Sequence, residues 1–490
     1  MKHLAYHRGT VIGLAFTIAA GVQGQAEMSA FTSTGNAAAT TFVMDYQAVG
    51  INPANLGWAW RHQDKHVAIG LLEGSYSVHS DAITRTDIRE RLINTDFRFT
   101  EAEKEEAGRQ FANAGAIANV DLMLFGAAVT TEKAGGFAFQ VRDRIQVSSR
   151  FGPLTAELAF TGFRSDYFDL LVLVTGDTVS NYANMSPDSI ALIALGIATE
   201  PQLLSRVLDG SHLRASWYRE FNFSYGRHLV RNDDLEIDLG IGLKYLLGIG
   251  VVDIESKDGT ASGFTAITPS LDFDPLGETN TEMQLPDGGA GFSPKPAGQG
   301  FGMDVGLSMI VHKRWRLGAS VCNIGSITWT GNVYTASDGS LVDLAISGLE
   351  NYNLIDGLED FVTNSGFLKW EEDQRSTRPL PTNARFGLGL SVGERIDVGA
   401  EVVAPLNDEP GNLLNPSFGI GGNIRPVPWL QLSTGLSTGG GYALKVPVGL
   451  CFIVGDGTWE AGVASRDVVT FFAQSNPTIS LSMGFLRFRF

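Results

Sequence analysis

The residues that demand a chemical account are charges placed on one parity of long alternating segments. Leu235, Ile237, Leu239, Ile241 and Leu243 alternate with Glu236, Asp238, Gly240, Gly242 and Lys244. A period of two puts the apolar set on one face of a strand and the charges on the other. The same parity gives Asp304, Arg316, Arg385, Asp397, Glu401, Lys445, Glu460 and Arg487 to the polar face of later segments. Acids and bases are mixed there, so the chemistry on offer is ion pairing: an internal network that holds shape, or a polar path for a solute. Nucleophilic catalysis would need a nucleophile with a base in reach. The chain has 8 histidines. His228 and His312 fall beside tight turns, and no serine-nucleophile motif is read next to them. Glu371-Glu372-Asp373 reads as a solvated acidic loop. No enzyme, metal site or cofactor is expected.

Positioning that face requires strands long enough to cross a bilayer. Residues 213–230 and 235–252 form a hairpin about the turn Arg231-Asn232-Asp233-Asp234, and each arm exceeds the roughly 9–11 residues a spanning strand needs. Charge facing lipid at mid-depth costs roughly 2–4 kcal/mol for a base, so the polar parity must face inward. The 490 residues contain 58 glycines, only 18% charged residues and a net charge of −17. Few charges and many glycines suit such strands, and the acidic balance argues against nucleic acid. Cys322 and Cys451 fall on separate segments and are expected as free, buried thiols.

Residues 1–26 read as a cleaved secretory signal: Lys2 and Arg8, an apolar core, then small residues around Gly24 and Ala26. No later run is long enough for a spanning helix; residues 190–198 come nearest. Tight turns then alternate with long loops. The turns fall at Glu132-Lys133-Ala134-Gly135, at residues 231–234, at His312-Lys313-Arg314, at Gly393-Glu394-Arg395, at Arg425-Pro426-Val427-Pro428 and at Gly455-Asp456-Gly457. Long connections are read at 150–212, 253–300, 328–382 and 405–415. Sorting by parity is the layout of an outer-membrane barrel, and the strands between 67 and 490 number about 14.

Trp315, Trp429 and Trp459 each follow a tight turn and are expected in an aromatic girdle. The C-terminal segment ends on Phe490, and Phe485 needs a bulge to reconcile its two apolar parities. Thr100-Glu101-Ala102-Glu103 is a capping box opening a charged helix. Residues 150–212 carry helical signs: Ser186-Pro187, then apolar Ile190, Ile193, Ile197, Leu203, Leu204, Val207 and Leu208. Residues 154–160, which have strand character, are assigned to this outer excursion so that the strand number stays even.

Asp45 to Gly57 contains Asn52-Pro53-Ala54 ahead of the first strand. This segment resembles the N-terminal region of the long-chain fatty acid transporter (FadL) family, the related PorV-type barrels and an uncharacterised outer-membrane family of similar layout; residues 221–248, with Tyr225-Gly226-Arg227 and Gly242-Leu243-Lys244-Tyr245-Leu246, are similar to that uncharacterised family. The resemblance implies an all-β, transmembrane antiparallel barrel of about 14 strands at residues 67–490. It also implies an N-terminal plug at residues 27–66 carrying Asn52, Pro53 and Ala54, and helical extracellular loops. The expected setting is the outer membrane of a Gram-negative envelope, with lipid as partner. The expected function is passive transport of a hydrophobic or amphipathic small molecule. The alternative is a PorV-like, non-transporting barrel that partners a secretion or surface-anchoring complex.

Overall fold

The computed structural model describes residues 30–58, 65–92, 97–182, 185–268, 294–351, 368–473 and 475–490. The signal segment and its cleavage site lie outside the described residues. Fourteen antiparallel strands close into a ring: β1 (Val67–Ser80), β2 (Gly115–Thr131), β3 (Gly135–Arg150), β4 (His212–Arg231), β5 (Leu235–Lys257), β6 (Gly298–Val311), β7 (Trp315–Trp329), β8 (Asn383–Val392), β9 (Ile396–Pro405), β10 (Ser417–Val427), β11 (Leu430–Gly439), β12 (Val448–Val454), β13 (Trp459–Ser465) and β14 (Ile479–Arg489). Closure is made by β1 on β14, from Ala68 opposite Arg489 to Val78 opposite Ile479. A closed ring leaves no unpaired edge, which is what lets strands stand in hydrocarbon.

The alternation sets the two faces. On β5, Leu239, Ile241 and Leu243 are exposed while Asp238, Lys244 and Leu246 are buried. Phe125, Phe223, Phe301, Phe386, Phe418 and Phe452 extend this exposed apolar belt around the ring. So large an uninterrupted apolar surface is not one that water tolerates.

Bulges correct the parity where the alternation slips. On β14, Glu460 and Gly462 of β13 face Arg487 and Gly484, leaving Phe485 and Leu486 as the bulge. Both are exposed, and Arg487 turns inward. The same happens on β1 at Leu72, which has φ 54°. Leu71 and Leu72 both face out, and Glu73 is thereby carried into the interior.

The ring has a tight-turn rim and a long-loop rim. On the latter stands a lobe richer in sheet than the helical spacing implied. Helix α1 (Glu101–Phe111) has the expected capping box between Thr100 and Glu103. It packs Phe111 against Phe160 of helix α2 (Pro153–Thr161), ring centroids 4.9 Å apart. Residues 154–160 are thus helical and outside the ring. Beyond them the excursion departs from the helical reading. Ile193 and Ile197 lie on a strand (Ile193–Ile197) that pairs with Leu170–Leu173 in a small separate sheet. Among the described residues there, helix is confined to the 3-10 turn Gly162–Arg164 and to Pro187–Ile190 and Leu204–Val207. A one-turn helix is not stable alone; Leu204 and Val207 are buried on theirs by packing in the lobe, while Ile193 is buried on a strand.

The connection expected to start at residue 253 also starts later. β5 runs on to Lys257 and pairs with Thr260–Ile267. Above a bulge between Trp217 and Tyr218 of β4, Ile249, Val251 and Ile254 of β5 are buried. Ile249 is the unpaired residue of that bulge; beyond it Val251 packs with Tyr218 and Leu246, and Ile254 packs against Leu158 and Phe168 of the lobe.

Candidate functional site: the filled lumen

Residues 30–58 occupy the inside of the ring on its tight-turn half. Asn52-Pro53-Ala54 forms the start of a short 3-10 helix (Pro53–Leu56). The side-chain oxygen of Asn52 accepts from the Ala54 N–H at 3.2 Å, and Pro53 supplies the first position. The Asn52 amide then donates to the carbonyl of Leu307 on β6, at 3.1 Å. Asn55 ties the segment to itself by donating to the carbonyls of Thr40 and Val43, both at 2.9 Å. All of Asn52, Ala54, Asn55 and Leu56 are buried.

The wall receives this segment with glycine. Every one of the fourteen strands presents a glycine whose added Cβ would meet residues 30–58. On β5, a Cβ at Gly240 would lie 2.2 Å from the backbone of Pro53 and Ala54; on β6, one at Gly306 would lie 2.1 Å from Asn52. On β10, one at Gly419 would lie 1.9 Å from the carbonyl of Ala37. The high glycine content thus has a spatial cause: a smooth bore that lets one backbone lie against another. Replacing Gly240 with valine forces the Asn52-Pro53-Ala54 turn off the wall, because the obstructing atoms are backbone. Limited proteolysis of the folded barrel should then cut within residues 30–58 at least tenfold faster than in the wild type.

Polar clamps fix the segment where glycine gives no grip. Arg487 reaches Asp45 at 2.6 Å and Glu460 at 3.1 Å, and Arg489 reaches Glu460 at 2.8 Å. Glu73 accepts from Gln47 at 2.8 Å and from the Tyr46 hydroxyl. Glu401 accepts from the Ala39 and Thr40 N–H groups at 2.7 and 2.5 Å while pairing with Arg385 at 3.0 Å. Buried charge is tolerated in this way only when paired and hydrogen-bonded.

The charges singled out from the sequence all lie on the inner side, in two tiers. Near the tight-turn rim, Glu236 pairs with Arg231 at 2.8 Å, and Asp397 pairs with Arg316, whose guanidinium sits 5.6 Å from the Phe42 ring centre. Asp238 packs beside Gly57. Higher up, Lys244 lies between Glu220 at 3.2 Å and Asp304 at 3.0 Å and donates to Asn323 at 2.6 Å. Glu236, Asp238, Arg316, Asp397 and Glu460 thus follow closely on tight turns, and Arg487 pairs with Glu460. Lys244, Asp304, Arg385 and Glu401 lie further along their strands from the tight turns. Glu73, Asp45 and the Arg142–Asp121 pair at 2.5 Å belong to the same interior and are not read from strict alternation. The double apolar step Leu71-Leu72 marks where the alternation slips, and the pairing of β1 with β2 and β14 is what carries Glu73 inward.

Above the upper tier the lumen turns apolar. Tyr218, Leu246, Phe264, Ile327, Trp329 and Leu380 pack together there. Beyond them Leu158, Phe168, Leu204, Ile254 and Trp370 form the core of the lobe. The cavities described inside the ring are small: about 60 Å³ beside Arg385, Lys445 and Arg466, and about 70 Å³ among Arg316, Arg425, Glu460 and Arg487.

The spacing Gly-x-Ser-x-Gly does occur twice, at Gly389-Leu390-Ser391-Val392-Gly393 and Gly435-Leu436-Ser437-Thr438-Gly439. Neither is a nucleophile elbow, which needs a strand-to-helix turn. Both run from a strand towards the next strand, and Ser391 donates to Asp397 at 2.6 Å. Cys322 and Cys451 are free and buried, and no group of three or more metal-ligating side chains is found among the described residues.

At the long-loop rim, Arg214 gathers Asp408 and Glu255, both at 2.5 Å, and Lys257 adds a contact to Asp408 at 2.9 Å. The hydrogen bond from Arg214 holds the Asp408 carboxyl down at about 2. A depressed carboxylate pKa contributes stability that is whole above the unfolded value near 4 and lost as pH falls through the folded value. Asp408 is half exposed, so the effect is local. Hydrogen exchange of residues 406–416 should stay slow from pH 7 to about 4 and accelerate between 4 and 2. Asp408→Asn should make it fast throughout.

The ring, the apolar belt and the filled bore define the class: a closed, 14-stranded antiparallel β-barrel with an N-terminal segment inside it. Residues 158–452 match the model of a family of unknown function, DUF5723, and the chain belongs to that family. No curated protein matches it in sequence. Solved structures similar to it include the Pseudomonas putida toluene transporter TodX, at 12% identity and a TM-score of 0.40, covering 96% of this chain and 99% of that one. The Ralstonia pickettii toluene transporter TbuX is similar at 10% identity and a TM-score of 0.43, covering 95% and 99%. A Pseudomonas aeruginosa FadL homologue is similar at 9% identity and 0.38, covering 96% and 97%.

Proposed function

We propose that this protein is an outer-membrane barrel that passes a hydrophobic or amphipathic small molecule, with residues 30–58 as the plug that must shift for passage. The apolar belt faces lipid, Trp315, Trp429 and Trp459 mark its interface at the tight-turn rim, and that rim is periplasmic. The observation that carries the reading is the glycine-lined bore. A plug resting on bare backbone interlocks with few wall side chains, so moving it demands little repacking. Its other ties are an apolar cluster, in which Val43, Tyr46, Ile51 and Leu56 pack with Met123, Ala128 and Ala138 of the wall, and hydrogen bonds and ion pairs, which water can replace. The packed apolar layer from Trp370 down to Leu246 is where an apolar molecule would enter from the lobe. The test is uptake of a fluorescent apolar probe into proteoliposomes by the full chain and by a chain lacking residues 30–58. Faster uptake by the shortened chain supports the reading; equal, background-level uptake by both would sink it.

One observation favours the second reading, a non-transporting partner of an envelope complex. Above the plug the bore is packed with side chains, Tyr218, Leu246, Phe264, Ile327, Trp329 and Leu380 among them. Background uptake in both chains is the result this reading predicts.

A further inference from the structure

The smaller of the two cavities lies on the long-loop side of the plug, between residues 33–39 and the wall. Its lining brings together Arg385 of β8, Glu401 of β9, Ser437 of β11, and Lys445 and Arg466 from the connections flanking β12 and β13. The lining thus holds three bases and one carboxylate, with the Asp467 carboxylate acting on Lys445 from just outside it. Both oxygens of Glu401 are already engaged, one by Arg385 and the other by the plug N–H groups of Ala39 and Thr40. Lys445 is 3% exposed, and among the described residues no carboxylate comes within ion-pair distance of its ammonium group. It rests instead over the ring of Tyr442, 3.3 Å from the centre. Asp467 is the acid whose field reaches it, but that carboxylate accepts from the Val446 N–H at 3.5 Å. A buried ammonium held by an aromatic face and by one acid beyond ion-pair distance is costly to keep. At about 60 Å³ the space is several times the roughly 10–15 Å³ a single water needs.

We infer that this cavity is an oxyanion site, taking a carboxylate or a phosphate group between Lys445, Arg466 and Arg385. Such an anion competes with Glu401 for Arg385, and Glu401 is what holds the plug at Ala39 and Thr40. By linkage, whatever binds there better when the plug is loosened also loosens the plug. That consequence rests on residues 30–58 being a movable closure; binding itself does not.

The test uses the full chain in detergent, titrated calorimetrically with inorganic phosphate and separately with octanoate, and crystals soaked in bromide. Wild type should bind one equivalent of at least one probe. Lys445→Gln and Arg466→Gln, each checked for a folded barrel by its heat-modifiable gel shift, should bind at least tenfold more weakly. Bromide should give an anomalous peak beside the Lys445 ammonium. Binding of phosphate alone assigns a free inorganic oxyanion, binding of octanoate alone an amphiphile headgroup, and binding of both the shared chemistry. Unchanged affinity in a folded Lys445→Gln barrel, or bromide peaks confined to the outer surface, would overturn the site. Because these readouts involve no transport, they stand or fall separately from the uptake measurement.

Discussion

Deleting residues 30–58 should turn a closed barrel into an open one, with single-channel conductance in planar bilayers rising about tenfold or more. The expectation follows from size. Eight-stranded barrels are just filled by their own side chains, and those of 16–18 strands leave an aqueous channel. A 14-stranded ring emptied of its plug stands close to the second case, the more so because each strand meets the plug with a glycine. The charges left behind, Glu73, Glu401 and Arg487, would face water in the emptied bore and stay hydrated, so the barrel itself should still assemble. Its heat-modifiable gel shift and β-type circular dichroism check this. Unchanged conductance through a barrel shown to be folded would mean that something other than these residues closes the lumen.

The second large effect is expected at Lys244. Its ammonium is wholly buried between Glu220 and Asp304, with Asn222 donating to both acids at 2.9 and 3.0 Å and the Asn323 N–H donating to Asp304 at 2.8 Å. Lys244→Met leaves two carboxylates facing each other with no cation between them. Breaking a buried pair from one side costs about 3–5 kcal/mol, a large fraction of a typical total stability. Urea unfolding in lipid vesicles should show the midpoint falling steeply, or the variant should fail to assemble. Lys244→Met combined with Asp304→Asn and Glu220→Gln should recover most of the loss, because the bare charges are gone. A Lys244→Met barrel as stable as wild type would show that the trio contributes shape and not energy.

Where the sequence was legible, one physical rule did the reading. Side chains on a strand alternate, lipid and lumen differ in polarity, and so the charges on one parity of β5 through β14 had to point inward. The closing tight turns, the Thr100 capping box and the bulge at Phe485 follow from equally local rules. The rule failed where the backbone slipped by one residue. Leu72 breaks the alternation of β1, and nothing in the next two residues says whether Glu73 continues the old parity or starts a new one. The register against β14 and β2 settles it. The helical spacing holds at Pro187–Ile190 and Leu204–Val207 but failed at Ile193 and Ile197, for a different reason. Spacing fixes which side chains want burial, not which element buries them, and here neighbouring strands were available.

The sequence alone therefore determined a ring of about fourteen strands with a greasy outside and a charged inside, because those properties are periodic and lipid enforces the period. Only the tertiary structure decided what fills the ring. Residues 30–58 have no such period; their place is set by contacts with all fourteen strands at once. The glycines that accept them look, one strand at a time, like nothing more than small residues in a sheet.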